Sequence, residues 1–192
     1  MMEKILVEVS ARHIHLSRAD MDVLFGEGSE LHPIKYLSQP GQYASEEKVT
    51  LKGPKGTAGV RVLGPLRKET QVELSLTDAR TLGVKAMIRE SGVLEGTTGG
   101  LTIVGPCGEI ALDKGVIAAK RHIHMTPADA EAYGVSNGDI VAVKVVTDGR
   151  SVVFADTVVR VSDSYKLAMH IDTDEANAAA ISGTAEGEIV AF

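Results

Sequence analysis

Histidine separated from histidine by one residue occurs twice in this chain, as His13-Ile14-His15 and as His122-Ile123-His124. In an extended segment, side chains two residues apart point to the same face, so each pair can chelate one ion. Neutral imidazole is a good ligand for zinc and related metals, and a catalytic site commonly adds a third protein ligand while leaving one position open for water or substrate. The sequence offers that third ligand in each half. Val72-Glu73-Leu74-Ser75-Leu76-Thr77-Asp78 resembles Met169-His170-Ile171-Asp172-Thr173-Asp174-Glu175 in pattern, which aligns Glu73 with His170. The expected ligand sets are therefore His13, His15 and Glu73 for one metal, and His122, His124 and His170 for the other; a single His-X-His could as well be ordinary surface or core histidines, and the duplication in matching context is what favours ligands. A structural zinc would want four protein ligands, often cysteines, and the chain has a single cysteine.

Other residues invite chemistry less strongly. Arg67, in Gly64-Pro65-Leu66-Arg67, precedes the Glu73 segment and could hold an anion bound near that metal, because a guanidinium matches phosphate oxygens in a bidentate fork. A solvated loop arginine is the other reading. Arg12 and Arg121 flank the histidine pairs and should point away from them by strand alternation, towards carboxylates. Cys107, in the turn Gly105-Pro106-Cys107-Gly108, could accept an acyl group as a thiolate but lacks an activating partner nearby in sequence. Gly53-Pro54-Lys55-Gly56-Thr57 lacks the spacing of a P-loop and reads as a hairpin turn whose Lys55 could assist an anion. His32, beside Pro33, has no counterpart in the repeat and reads as a surface residue.

The elements that must position these residues follow from the same duplication. Residues 11–20 and 120–129 match along their length, each preceded by an apolar strand-like segment, Ile5 to Val9 and Val116 to Ala119, and each followed by a short helix. Ser17 and Thr126 suit the N-cap, Pro127 the first turn, and Gly26 and Gly134 the stop. Strands are expected at Val49 to Leu51, Val60 to Leu63, Gln71 to Leu76, Leu101 to Val104, Ile140 to Val146, Val152 to Phe154 and Thr157 to Val161. Gly-Pro pairs and Asp148-Gly149 mark turns between them. Many short strands with frequent glycine turns favour small barrels or sandwiches.

Composition agrees. The 192 residues are 44% hydrophobic but only 4% aromatic, without tryptophan and with 20 glycines, so Val, Ile, Leu and Ala between turns must make the core. A net charge of -6 argues against nucleic acid as partner. One cysteine excludes an internal disulfide framework, the charged N-terminus does not read as a secretory signal, and no apolar run approaches the roughly 20 residues that span a bilayer. The expectation is a soluble intracellular protein.

These residues resemble a known family, the PduL-type phosphate propanoyltransferases, phosphotransacylases found with bacterial microcompartments and, in some bacteria, in the cytosol. The likeness runs through the paired Arg-His-Ile-His motifs, Gln39-Pro40-Gly41-Gln42, Gly53-Pro54-Lys55-Gly56, residues 60–67, Thr70-Gln71-Val72-Glu73 and residues 170–177. It implies a mainly β protein of two small β-barrels capped by short α-helices, with the N-terminal strand completing the C-terminal barrel. The first barrel would comprise residues 1–11 and 120–192, and the second 12–119. The resemblance also implies two zinc ions at the barrel interface on the six ligands above, other divalent ions being able to replace zinc, and a phosphate-binding role for Arg67. Expected substrates and products are acyl-CoA, phosphate, acyl phosphate and CoA, with a propanoyl or acetyl group. Expected partners are a second copy or more of the chain and microcompartment proteins of propanediol degradation. Members directed to the microcompartment lumen often carry an N-terminal amphipathic helix, whereas this chain begins almost directly with its first strand, so the cytoplasm is the expected location.

The reaction so implied is direct attack of phosphate on the thioester without an acyl-enzyme. A two-metal hydrolase would use water instead and show no CoA-dependent exchange. A non-catalytic assembly module would use its metals only to hold its parts together.

Overall fold

The computed structural model describes residues 4–191. The chain enters as β1 (Ile5–Val9), β2 (His13–His15) and α1 (Arg18–Phe25), followed by β3 (Pro33–Tyr36), β4 (Tyr43–Lys52), β5 (Thr57–Gly64), β6 (Gln71–Glu73) and α2 (Leu76–Leu82). Next come β7 (Met87–Arg89), β8 (Leu101–Val104), β9 (Glu109–Leu112), β10 (Val116–Ala119), β11 (His122–Met125) and α3 (Pro127–Tyr133). The chain ends in β12 (Ile140–Val145), β13 (Val152–Val161), β14 (Ala168–Ile171), α4 (Thr173–Ala178) and β15 (Thr184–Val190). Strands dominate, as expected from so many β-branched residues between glycine turns. No helix among the described residues is long and apolar enough to cross a membrane.

Two compact units divide these elements. One contains the chain up to Ser10, Ser38–Pro40 and the chain from Lys120 onward; the other contains Ala11–Leu37 and Gly41–Ala119. Ser38–Pro40 joins the first unit because the Gln39 side chain bonds both ways with the Lys166 backbone, its Nε2 donating to the carbonyl at 2.8 Å and its Oε1 accepting from the N–H at 3.2 Å.

The first unit is a closed barrel in the order β1-β14-β11-β13-β12-β15. The N-terminal strand closes it, pairing parallel to β14 through Val7↔Met169 and antiparallel to β15 through Ile5↔Gly187. Ile5 and Val7 are fully buried with Ile123, Met125, Val143, Val159 and Met169. Gly187 makes room for this strand: a Cβ there would sit 2.7 Å from Val143 Cγ1 and 3.1 Å from Val7 Cγ2. Ile5→Ala is expected to destabilise this barrel by about 2–5 kcal/mol, whereas Leu6→Ala, on the exposed side of the same strand, should stay within about 0.5 kcal/mol, both measured by urea unfolding.

The second unit is a nine-stranded sheet in the order β7-β10-β6-β2-β5-β4-β8-β9, with β3 paired to β4. The described ladder therefore has two ends, at β7 and β9, and is not closed by pairing as the first barrel is. Its core is Ile14, Leu16, Leu24, Leu51, Val62, Val72, Leu82 and Ile103 with their neighbours.

Local signals are placed much as the sequence indicates. Ser17 and Thr126 cap α1 and α3, accepting from the Asp20 and Asp129 N–H groups, and Gly26 and Gly134 end them. Gly53 and Gly56 close the β4–β5 hairpin, the Gly53 N–H donating to the Gly56 carbonyl at 2.8 Å. Two expected strands differ. The segment from Gln71 stops at Glu73 rather than Leu76, because the Ser75 side chain caps α2 by accepting from the Asp78 N–H. Val152 to Phe154 and Thr157 to Val161 are one strand, bent where Asp156 adopts a φ of 53° and the Thr157 hydroxyl donates to the Phe154 carbonyl.

Candidate metal centres

In the second unit, β2 and β6 run antiparallel with His13 opposite Glu73. In the first, β11 and β14 repeat the arrangement with His122 opposite His170. The faint second half of the repeat thus sits where a strand partner must sit. The ligand atoms of His13, His15 and Glu73 lie within 4.8 Å of one another, and so do those of His122, His124 and His170. All are buried except His170, which is partly exposed.

The hydrogen bonds show what these rings can do. His13 Nδ1 meets the Ala11 carbonyl at 2.8 Å and His122 Nδ1 meets the Lys120 carbonyl at 2.8 Å, the same contact in both copies. His15 Nδ1 meets the Leu63 carbonyl at 3.2 Å. A carbonyl only accepts, so each of these Nδ1 atoms carries the proton and each Nε2 keeps its lone pair for another partner. The Nε2 atoms of His13 and His15 stand 3.5 and 3.9 Å from the Glu73 carboxylate, which is too long for hydrogen bonds. Two ligands about 2.1 Å from a tetrahedral ion would be about 3.4 Å apart, so the spacing suits a shared cation. In the other cluster the rings of His122, His124 and His170 have centroids 4.6 to 5.3 Å apart, and His124 Nδ1 is buried without a hydrogen-bond partner. An orphaned buried imidazole nitrogen among two others is costly unless something fills the gap. Both donor sets fit a zinc-like cation.

The protonation states of His124, His15 and Glu73 agree with that fit, while His13 is shifted the other way. Burial, reinforced by the charges of His122, His170 and Arg160, pushes the His124 pKa down to about 2, so the ring is neutral as a ligand must be. Burial, then His13 and Arg67, lowers His15 well below its usual value. For His13 burial works downward, but the charge of the facing Glu73 carboxylate and the bond to the Ala11 carbonyl outweigh it and the pKa ends raised. Burial likewise opposes ionisation of Glu73, yet the facing imidazoles hold its carboxyl far below the ordinary range.

Sequence reasoning missed a set of supporting residues. Ser91 Oγ donates to Glu73 Oε1 at 2.7 Å and accepts from both Arg67 Nη1 and Gln71 Nε2 at 2.9 Å. Gln71 also donates to Glu73 and is itself fixed by the Gly92 N–H at 2.7 Å. Ser91 therefore uses its one proton and both lone pairs to tie Arg67 to the carboxylate. Arg67 is further placed by its N–H, which donates to the Leu16 carbonyl at 2.9 Å. Nothing local in the sequence marks Ser91; the loop after β7 brings it in. Ser91→Ala is expected to weaken divalent-ion affinity of this cluster about 10- to 100-fold, read by competition against a chelator.

The remaining candidates fall elsewhere. Arg12 Nη1 pairs with Asp78 at 3.0 Å and Arg121 Nε with Glu175 at 3.0 Å, so both arginines turn to carboxylates in the first turn of a helix, α2 for Arg12 and α4 for Arg121. His32 is exposed and pairs with Glu47 at 2.7 Å. Cys107 is exposed in the β8–β9 turn, its N–H donating to the Leu24 carbonyl at 3.0 Å. Lys55 lies in the β4–β5 hairpin against Gly83.

A duplicated strand–helix unit that converges buried imidazoles in one barrel, and imidazoles with a carboxylate in the other sheet, defines a mainly β protein with two matched donor sets. The family model described as phosphate propanoyltransferase matches residues 6–182. The chain is 59% identical over 176 residues to the phosphate propanoyltransferase of Thermotoga maritima, covering 91% of this chain and 83% of that one. It is 57% identical over 185 residues to that of Clostridioides difficile, covering 96% and 88%, and 55% identical over 188 residues to that of Sebaldella termitidis, covering 97% and 88%. The chain belongs to the phosphate propanoyltransferase family. It is an enzyme of the acyltransferase class, a phosphotransacylase, with acyl-CoA and phosphate as substrates.

Proposed function

We propose that this phosphotransacylase acts on short acyl groups, propanoyl or acetyl, and that each of its two donor clusters holds one divalent ion, zinc by preference of the donors. The observation that carries the metal reading is the repeated anchoring of His13 and His122 through Nδ1 to backbone carbonyls, which leaves lone pairs converging on the partner ligands. Borderline-soft imidazole with at most one carboxylate suits zinc, while cobalt would be accepted by the same geometry. When bound, the ions supply Lewis acidity for the thioester carbonyl and positive charge for phosphate and the developing oxyanion.

The protein's own residues do the rest. Arg67 binds inorganic phosphate through its fork, and Ser91 fixes the guanidinium relative to Glu73 so that the anion is held beside the cluster. Arg67 thereby presents a phosphate oxygen to the carbonyl carbon of the acyl-CoA. The new C–O bond forms as the C–S bond breaks, CoA leaves as the thiolate, and the proton lost by phosphate neutralises it. Cys107 takes no part: it lies on an exposed turn beside α1, at the β9 end of the ladder, whereas the cluster lies on β2 and β6. Cys107→Ser should leave exchange unchanged, and loss of exchange with metal content intact would contradict direct transfer.

The deciding assay is release of free CoA from propanoyl-CoA and acetyl-CoA by metal-analysed protein, with and without phosphate. Release that needs phosphate, about two bound ions per chain, and loss on chelation with recovery on adding zinc are expected. Release without phosphate would make the protein a hydrolase, and full activity after complete chelation would remove the metals from the reading.

A further inference from the structure

Arg160 has a role that the six ligands and Arg67 leave unassigned. It stands on β13 in parallel register with His124 on β11, so the two side chains share a face of the barrel ladder. Its guanidinium carbon lies 5.9 Å from the centroid of the Tyr165 ring, and that ring in turn packs 4.2 Å from the His124 ring. Arg160 and Tyr165 are both half-buried. Among the described residues, no carboxylate lies within ion-pair distance of Arg160. Arg12 and Arg121, beside the same clusters, each have such a partner.

Charge sharpens the contrast between the two clusters. His13, His15 and Glu73 include an anion, which offsets part of the charge of any cation they hold. His122, His124 and His170 include no carboxylate, so these ligands offset none of it. Glu8 stands 4.0 Å from His170 Nδ1 and accepts from the Ser38 hydroxyl. Glu8 is on β1, three ladder steps from β13 in the six-stranded barrel, and its ion pair is with His170. It therefore does not neutralise Arg160. A half-buried arginine with a ring beneath it, no anion beside it and an all-imidazole cation site next to it is preorganised for an anionic ligand with several oxygens.

We propose that Arg160, held over Tyr165 next to His124, is a second anion-binding residue of the reaction, one that grips phosphoryl oxygens at the three-histidine cluster. The proposal rests on the phosphotransacylase reading above. Phosphoryl oxygens reach the enzyme from two sources, inorganic phosphate and the phosphates of CoA, and the test separates them.

Arg160→Gln and Arg160→Lys proteins would be loaded with zinc, analysed for metal, and titrated calorimetrically with CoA alone and with inorganic phosphate alone, beside the wild type. The expected result is normal metal content in both variants with affinity for one of the two anions reduced at least about tenfold in Arg160→Gln and less in Arg160→Lys, the deficit shrinking as salt is raised. A deficit confined to CoA assigns the site to CoA's phosphates, and one confined to phosphate assigns it to the attacking anion. Unchanged affinity for both anions overturns the proposal. So does loss of metal in step with loss of binding in both variants, because the arginine would then only press Tyr165 onto His124. If the wild type itself releases no CoA in response to phosphate, the transferase reading fails instead, which is a separate outcome.

Discussion

His122→Ala protein should bind about one divalent ion per chain instead of two and lose phosphate-dependent CoA release by more than about a thousandfold. The size of the effect follows from the cluster's composition. Among the described residues His122, His124 and His170 are the whole donor set of their unit, and a site left with two imidazoles loses the affinity that keeps an ion in place. The stoichiometry should fall only to one, because His13, His15 and Glu73 lie in the other unit with their own backbone anchors. His32→Ala is the matching control: His32 is exposed, pairs with Glu47 and belongs to neither cluster, so metal content and rate should stay as in the wild type. Metal analysis beside the exchange assay reads both numbers. Two ions retained in His122→Ala would sink the ligand assignment.

Arg67→Ala should keep both ions and yet lose kcat/KM for phosphate by about 100- to 1000-fold, the range typical of removing one preorganised charge-stabilising donor. The KM for acyl-CoA should move little by comparison. Ser91 and Gln71 still hold the Glu73 carboxylate when the guanidinium is gone, so the cluster's shape is expected to survive the substitution. Arg67→Lys should recover only part of the loss, because an ammonium keeps the charge but not the fork. Steady-state kinetics with phosphate and propanoyl-CoA varied independently would check this, and an unchanged phosphate dependence would return Arg67 to the status of a structural arginine that braces Ser91.

The two sets of candidate ligands were legible for a simple reason. Strand alternation puts His13 with His15, and His122 with His124, on one face whatever the rest of the fold does. The caps Ser17 and Thr126 were equally local, since a hydroxyl three residues before a free N–H needs no tertiary partner. Glu73 and His170 were harder, because only a faint pattern match aligned them; the ladders place each opposite the first histidine of its pair. The helices α2 and α4, seven and six residues long, leave too few turns for a hydrophobic period to register, and the strand expected from Gln71 runs on into Leu76, the first residue of α2.

From the sequence alone, then, came the duplication, the residue types that suit a divalent cation and the β-rich character of the chain. All of these depend on contacts between near neighbours or on composition. Tertiary structure alone decided which distant residues complete the centres: β1 closing a barrel whose other strands lie more than a hundred residues along, Ser91 binding Arg67 to Glu73, and Arg160 lying with Tyr165 beside His124. The closed barrel removes its own strand edges by recruiting that first strand, and burial of Ile5 and Val7 favours the recruitment. Such pairings are chosen by the burial and hydrogen bonding of the whole assembly, which no local pattern encodes.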